Sequence, residues 1–397
     1  MSEDRRMLPY GRQTIEDDDV AAVTAALRSD FLTTGPLVEQ FEKQFAEAAG
    51  ARQAVACNSG TAALHLAAMA LRLGPGDTAI VPSLTFLSSA NAIRMTGAEV
   101  FFADVDPDTG LMTQESFSEA ISLAEKYRRE IKAAVPVHLN GRICDMRSLA
   151  SVARPLNIAL IEDACHAIGV PAVGGNDYSA FACFSTHPVK TIATGEGGAV
   201  TTQDEAAAHH MRKLRSHGMV HAPEEIKQQS DGFENGAKRP WYYEMPEIGW
   251  NYRMPDILCA LGISQLRKLK RFIERREEIA RLYDRLLAPL APVLKPVPRG
   301  NDPHGLHLYA VLIDFDKLGT TRAKFMNALR AENIGSQVHY FPVHRQPYYR
   351  ERYGERTLPG AESYYSRCLS IPLYPGMDDE DVSRVSTALQ KLVMGKP

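Results

Sequence analysis

One lysine stands out for where it sits. Lys190 lies in Phe184-Ser185-Thr186-His187-Pro188-Val189-Lys190-Thr191-Ile192-Ala193-Thr194-Gly195-Glu196-Gly197-Gly198, between an apolar run and a glycine-rich turn that opens another. Schiff-base chemistry needs an amine whose pKa is depressed by burial or a nearby cation. Glycines just beyond such an amine let backbone approach a ligand or turn sharply. A surface lysine in a loop is the plain alternative, and the ordered Ser-x-x-x-x-Lys and Gly-Glu-Gly-Gly pattern weighs against it.

Three further segments end apolar runs with residues that can hold a flat, anionic cofactor. Asn58-Ser59-Gly60-Thr61 follows Ala54–Cys57 and precedes a helical pattern. A helix N-terminus with flanking hydroxyls is an anion cradle. The same residues also suit an ordinary helix cap at Ser59 or Thr61. Phe86 follows the run at Ala79, where a ring can stack on a planar ligand or simply fill the core. Glu162-Asp163-Ala164-Cys165-His166 ends the run at Ile161. Asp163 can keep a pyridine nitrogen protonated and His166 can donate to a ring hydroxylate. A cap at Asp163 and a structural histidine would give the same letters.

The elements that must position these residues alternate. Apolar runs at 54–57, 79–81, 100–102, 135–137, 158–161, 181–184 and 198–202 are separated by helical stretches such as 61–73 and 88–96. This predicts an α/β fold with a mostly parallel sheet sandwiched by helices. Ligands in such folds sit at the carboxyl ends of strands. Two helices precede the sheet, 15–28 entered through Thr14 and 36–50 stopped at Gly50. Residues 218–249 read as a long loop, which is functional or disordered at that length. A charged helical region broken once spans 257–290, and its basic stretch 267–271 reads as a solvated face. Strands at 307–315 and 337–341 and helices at 321–332, 361–369 and 378–394 then form a smaller α+β unit. The division expected is 1–256 for the large unit and 257–397 for the small one.

Composition narrows the classes. The chain has 397 residues, 45% of them hydrophobic, and a formal net charge of -3. No basic excess calls for nucleic acid, and no run is long and apolar enough to span a bilayer. Six scattered cysteines lack CxxC spacing, so neither a zinc site nor a disulfide framework is indicated. A cytoplasmic protein with reduced thiols is expected. No G-x-G-x-x-G follows the first strand, which disfavours a nicotinamide cofactor. His304-x-x-His307 and the pair His339 and His344 lack a carboxylate at ligand spacing, which disfavours a metal.

Taken in order, these motifs resemble the DegT/StrS family of sugar aminotransferases, whose fold is the type I fold of pyridoxal-phosphate (PLP) transferases. The resemblance also covers Gly11-Arg12-Gln13, Leu32-Thr33-Thr34-Gly35-Pro36, Arg215-Ser216-His217-Gly218, Gly249-Trp250-Asn251-Tyr252-Arg253-Met254 and Val338-His339-Tyr340. It implies that Lys190 carries the cofactor and shuttles the proton. It places Asp163 on the ring nitrogen, His166 on the ring hydroxyl and Phe86 against the ring. Ser59, Gly60, Thr61 and Ser185 would hold the phosphate, joined by Asn251 from the neighbouring subunit of a homodimer. Arg253 is the candidate for the amino donor's carboxylate. Thr33, His187, His339 and Tyr340 are candidates for substrate contact.

Within the family, His187-Pro188-Val189-Lys190, Pro240-Trp241-Tyr242-Tyr243-Glu244 and Val338–His344 are similar to the branch acting in pseudaminic acid biosynthesis. That branch implies transfer of the amine of L-glutamate to the C4 ketone of UDP-2-acetamido-2,6-dideoxy-β-L-arabino-hexos-4-ulose. The GDP-perosamine branch or another UDP-4-keto sugar is the alternative, and a non-catalytic regulator on the same scaffold is the rival of another class. A 3-dehydratase of this scaffold would carry histidine in place of Lys190.

Overall fold

The computed structural model describes residues 6–299 and 305–395, so His304 lies outside it. The large unit is built on a seven-stranded sheet. In chain order its first elements are α1 (Asp17–Leu27), α2 (Pro36–Ala49), β1 (Gln53–Cys57), α3 (Gly60–Ala70), β2 (Asp77–Pro82), α4 (Leu87–Met95) and β3 (Glu99–Ala103). There follow α5 (Gln114–Lys126), β4 (Glu130–Ala134), α6 (Met146–Ala153), β5 (Ala159–Asp163), β6 (Phe181–Ser185), β7 (Gly198–Thr202) and α7 (Glu205–Leu214).

The strand order is β1-β7-β6-β5-β4-β2-β3. Pairings from β6 through β3 are parallel, and β7 runs antiparallel to both β1 and β6. The mostly parallel sheet expected from the sequence is therefore present. Buried residues such as Val55, Ala79, Ile161 and Val200 read as continuous apolar runs because helices cover both faces.

The excursion after α7 is ordered rather than a featureless loop. It holds α8 (Gln229–Gly232) and a hairpin of β8 (Phe233–Glu234) and β9 (Ala237–Lys238). Val220 and Glu244 exchange backbone bonds of 2.8 and 3.1 Å across its base. The helical region breaks once as expected, into α9 (Asp256–Leu266) and α10 (Leu269–Leu287). The basic stretch at the break is solvated at Arg267, Lys270 and Arg271, as expected, and departs from that at Lys268. Lys268 is buried and its Nζ lies 2.6 Å from Asp18 and 2.8 Å from Asp19, while Arg271 holds Glu16. The break thus clamps α1, which begins at Asp17 rather than just after Thr14 because Asp19 accepts the Glu16 N–H. The Thr14 carbonyl instead takes the Gln265 amide.

The smaller unit has a three-stranded antiparallel sheet of β10 (Leu294–Pro296), β11 (Tyr309–Ile313) and β12 (Cys368–Ile371). Its helices are α11 (Arg322–Ala331), α12 (Pro347–Tyr353), α13 (Pro359–Arg367) and α14 (Asp379–Met394). Cys259, Ile263 and Phe272 from α9 and α10 pack with Phe41 and Phe45 of the large unit. Leu8 from near the N-terminus packs with Ile279, Val311 and Leu389 of the small one. Three local expectations are corrected. The strand expected at 135–137 is β4, a few residues earlier, and Val137 makes only a bridge to Asp163. Residues 337–341 form no strand; Gln337 alone bridges Ser370. The last residues of the helix expected to end at 369 belong to β12, where Leu369 and Ile371 fill the small core. No helix among the described residues is long and apolar enough to cross a membrane.

Candidate active site

The carboxyl ends of β1, β5 and β6 open onto one cavity of about 580 Å³. Ser59, Gly60, Thr61, Phe86, Asp163, His166, Ser185, His187, Lys190, His339 and Tyr340 all line it. Eleven residues chosen from separate motifs thus meet in one place.

The cradle is built at the β1–α3 junction. Ser59 caps α3, accepting the Ala62 N–H on Oγ at 3.1 Å and the Ala63 N–H on its carbonyl at 3.0 Å. The cap and cradle readings are therefore compatible. The N–H groups of Gly60 and Thr61 have no hydrogen-bond partner among the described residues, which leaves two donors for an anion. A Cβ at residue 60 would stand 2.8 Å from the Ser185 Cβ, so only glycine lets the two turns close on one ligand. Ser185 Oγ accepts the His187 N–H at 3.3 Å, and its own proton remains free to donate.

Asp163 ends β5, and strand alternation sends its neighbour Glu162 to the opposite face. Glu162 is satisfied there by His138 Nε2 at 2.7 Å and Asn176 Nδ2 at 2.9 Å. Asp163 accepts the Ser89 hydroxyl at 2.5 Å and the Cys165 N–H at 3.2 Å. Ser89 is itself 2.6 Å from Thr85 Oγ1. Sequence reasoning missed Ser89 and Thr85. The signal was available: Ser89 stands one helical turn beyond Phe86, so it faces the same way.

Lys190 is half-buried at the cavity wall, its N–H tied to the His187 carbonyl at 2.8 Å. Burial lowers its pKa, against the opposing pull of Cys165 and Asp163. Burial also holds His166 well below the usual histidine range, with Lys190 and His339 adding to the effect. His339 is pushed down to about 3, first by burial and then by Lys190. Both imidazoles are neutral at physiological pH. Tyr340 Oη meets His166 Nε2 at 3.1 Å, and Phe86 is exposed with its ring 5.9 Å from that of Tyr340. Tyr10, Glu196, His307 and Gln337 also line the cavity without having been singled out. Glu196 stands in the Gly-Glu-Gly-Gly pattern and His307 is weighed only as a metal ligand, while Tyr10 and Gln337 come from loops far apart in sequence.

Asn251, Arg253 and Thr33 do not reach this cavity. Asn251 is exposed, bridged to Ser216, with its carbonyl 3.3 Å from Asn58 Nδ2. Arg253 lies in a separate cleft with Glu42, Arg212 and Arg215. Thr33 sits in the exposed bend before α2.

Comparison with known proteins gives a consistent result. The family model for the DegT/DnrJ/EryC1/StrS aminotransferases matches residues 13–390. The spore coat polysaccharide biosynthesis protein SpsC of Bacillus subtilis is 40% identical, over 98% of this chain and 97% of its own. Helicobacter pylori PseC, an aminotransferase involved in the biosynthesis of pseudaminic acid, superposes with a TM-score of 0.87 at 26% identity, covering 98% of this chain and 100% of that one. NtdA of Bacillus subtilis, solved with bound cofactor PMP, gives 0.83 at 26% identity, covering 96% and 83%. The chain belongs to the DegT/DnrJ/EryC1/StrS aminotransferase family, and it is a sugar aminotransferase whose cofactor is pyridoxal phosphate.

Proposed function

We propose that the chain moves the amine of L-glutamate to the C4 ketone of a nucleotide-linked 4-keto-6-deoxy sugar, with UDP-2-acetamido-2,6-dideoxy-β-L-arabino-hexos-4-ulose as the favoured acceptor. The observation that carries the reaction is one cavity holding a lysine of lowered pKa, a buried carboxylate and an anion cradle. The likeness to PseC over nearly the whole chain supports the acceptor, and the likeness to SpsC supports a role in polysaccharide biosynthesis.

These residues fit the cofactor. Gly60 and Thr61 N–H groups with the Ser59 and Ser185 hydroxyls would hold its phosphate, Asp163 its ring nitrogen, His166 its ring oxygen and Phe86 its face. Bound pyridoxal phosphate supplies a carbonyl for the incoming amine and an electron-withdrawing ring beside it. Asp163 keeps the ring nitrogen protonated, and its bonds from Ser89 and Cys165 fix the carboxylate in place. Lys190, whose pKa burial lowers, takes the proton from the donor's α-carbon and later delivers it. The same lysine reverses the transfer at the sugar's C4. His187, His339 and Tyr340 face the acceptor at the rim.

The functional unit in this reading is a homodimer. Asn251 is exposed beside its own chain's cradle and does not line its own cavity, and in this reading it serves the partner's phosphate site, as the family resemblance implies. Arg253 binds the donor carboxylate, in a cleft also lined by Thr34, the residue after Thr33. The exposed Trp241, Tyr243, Met245 and Ile248 of the excursion supply apolar surface for that contact.

The test is an absorbance spectrum of the holoenzyme before and after L-glutamate, repeated on Lys190→Ala. Glutamate should bleach the visible band, a UDP-linked 4-keto sugar should restore it, and the variant should do neither. Restoration only by a GDP-linked sugar would move the assignment to the perosamine type. A wild type that forms no band would sink the catalytic reading and favour a non-catalytic scaffold.

A further inference from the structure

Residues 138–142 lie between β4 and α6 of the large unit and touch the segments at 297–298 and 305–308 that lead into the small one, and Asn140 is the fixed point of that contact. It is fully buried, in the left-handed region at φ 62° and ψ 8°. Its backbone N–H donates to His166 Nδ1 at 3.2 Å. Its carbonyl accepts the N–H groups of His307 at 3.1 Å and Leu308 at 3.4 Å. Its side-chain Nδ2 donates to Tyr364 Oη at 3.0 Å. Gly141 follows at φ +87°, where any Cβ would run into the Gly305 carbonyl. Arg142 then donates to the carbonyls of Val297 and Pro298, both at 2.8 Å. The direction of the Asn140 N–H is thus set by contacts on every side.

That direction has a chemical consequence. A ring nitrogen that accepts an N–H bears no proton, and the other nitrogen of a neutral imidazole must bear it. For His166 the protonated atom is Nε2, which faces Tyr340 Oη at 3.1 Å and the cavity. A hydrogen bond at each nitrogen fits only this ring orientation. His307 packs on the ring with centroids 4.5 Å apart and makes no side-chain hydrogen bond among the described residues, so it does not compete for the proton.

We infer that Asn140 is a positioning residue for the reaction: it fixes His166 as an Nε2–H donor toward the cofactor's ring oxygen, and its bond to Tyr364 ties that tautomer to the packing of the smaller unit. The inference rests on the placement of His166 proposed above. Lys190, His339, His307 and Tyr340 face His166, and burial with the neighbouring positive charge keeps the imidazole neutral, in agreement with an unprotonated Nδ1. A neutral donor at this point stabilises the ring oxygen in its anionic form. Weakening the donor must then raise the pH at which the bound cofactor's visible band changes.

The experiment uses two holoenzyme variants. Asn140→Gly keeps the left-handed backbone and loses the anchor to Tyr364. Tyr364→Phe removes one oxygen outside the cavity. The band transition should move up by about one pH unit in Asn140→Gly, the size expected for a weakened hydrogen bond to a charged oxygen. A smaller upward move is expected in Tyr364→Phe. A merely structural role would lower Tm and leave the transition where it is in wild type. Nitrogen NMR of histidine-labelled wild type should show His166 protonated on Nε2. Transitions unchanged in both variants, or His166 protonated on Nδ1, would overturn the inference. If Asn140→Gly does not fold, Tyr364→Phe decides. If wild type shows no visible band, the cofactor placement fails while the NMR tautomer still decides the role of Asn140.

Discussion

The cavity has two walls made in different ways. One wall is the sheet side: Asp163 and Ser185 end buried strands, and Ser59 and Gly60 begin a helix. The other is the rim, made of Tyr10, His307 and residues 337–340, none of which lies in a strand or helix. The sheet wall carries groups that every aminotransfer needs, and it carries them on elements that cannot shift. The rim carries hydroxyls and neutral imidazoles on connecting segments, where side chains change without disturbing the core. The contrast assigns chemistry to the first wall and recognition to the second.

The sharpest way to break that assignment is Asp163→Ala. Removing a buried carboxylate aimed at a site of charge development should cost about 10³-fold in kcat. Both half-reactions should suffer alike, since both need the ring nitrogen protonated. Stopped-flow spectra with L-glutamate alone and with keto sugar alone measure this, and a loss confined to one half-reaction would remove Asp163 from the common chemistry.

Acid tests the buried histidines next, on the rim, on the sheet wall and in α3 behind it. His339 has its pKa held near 3, His65 near 4, and His166 and His307 well below the usual range, all chiefly by burial. Between these values and the unfolded pKa of about 6.5 the unfolded chain binds more protons. Stability is therefore fully present above pH 6.5 and falls as pH drops toward 3. Each histidine contributes up to about 1.4 kcal/mol per pH unit in that window. Denaturant melts at pH 7, 6 and 5 should show the decline, and His65→Gln should reduce its slope. A flat profile would mean these rings are not buried and neutral.

Tyr340→Phe is a smaller lever on the rim. It deletes one hydroxyl, worth about 1 kcal/mol as a hydrogen bond. The KM for the nucleotide sugar should rise about fivefold while the glutamate half-reaction stays near wild type. Equal losses in both halves would place Tyr340 with the chemistry instead, through its bond to His166.

The two walls also differ in how far the sequence alone reveals them. Asp163 and the Ser59–Thr61 cradle are legible because each comes at the end of an apolar run, so strand-end geometry aims them, and Lys190 because it lies between such a run and a glycine-rich turn. Ser89 was missed although helical spacing places it with Phe86, because its partner Asp163 is far away in the chain. Asn140 and His307 carry no local signal at all. Their roles arise from a backbone contact between units and from a tilted ring pair, which only tertiary packing creates. The segment 337–341 misled in the opposite direction. Its apolar alternation reads as a strand, yet His339 and Tyr340 line the cavity and the chain keeps only the Gln337–Ser370 bridge. Asn251 and Arg253 are readable as motif members, but one chain offers them no cavity to enter.

Ser59→Ala is the finest cut between the walls, because Ser59 both caps a helix and faces the ligand. The lost cap bond to Ala62 should cost about 1 kcal/mol of stability. Losing the hydroxyl should also weaken cofactor binding several-fold, since the Gly60 and Thr61 N–H groups and Ser185 remain. Equilibrium dialysis of the cofactor, alongside melts of the cofactor-free protein, separates the two effects. Tyr340→Phe, by contrast, should leave cofactor affinity unchanged, because the rim contributes nothing to the cradle. If Ser59→Ala lowers stability and leaves cofactor affinity intact, Ser59 is a cap alone. The phosphate would then rest on backbone N–H groups and Ser185, and the sheet wall would owe its anion site to helix geometry rather than to this side chain.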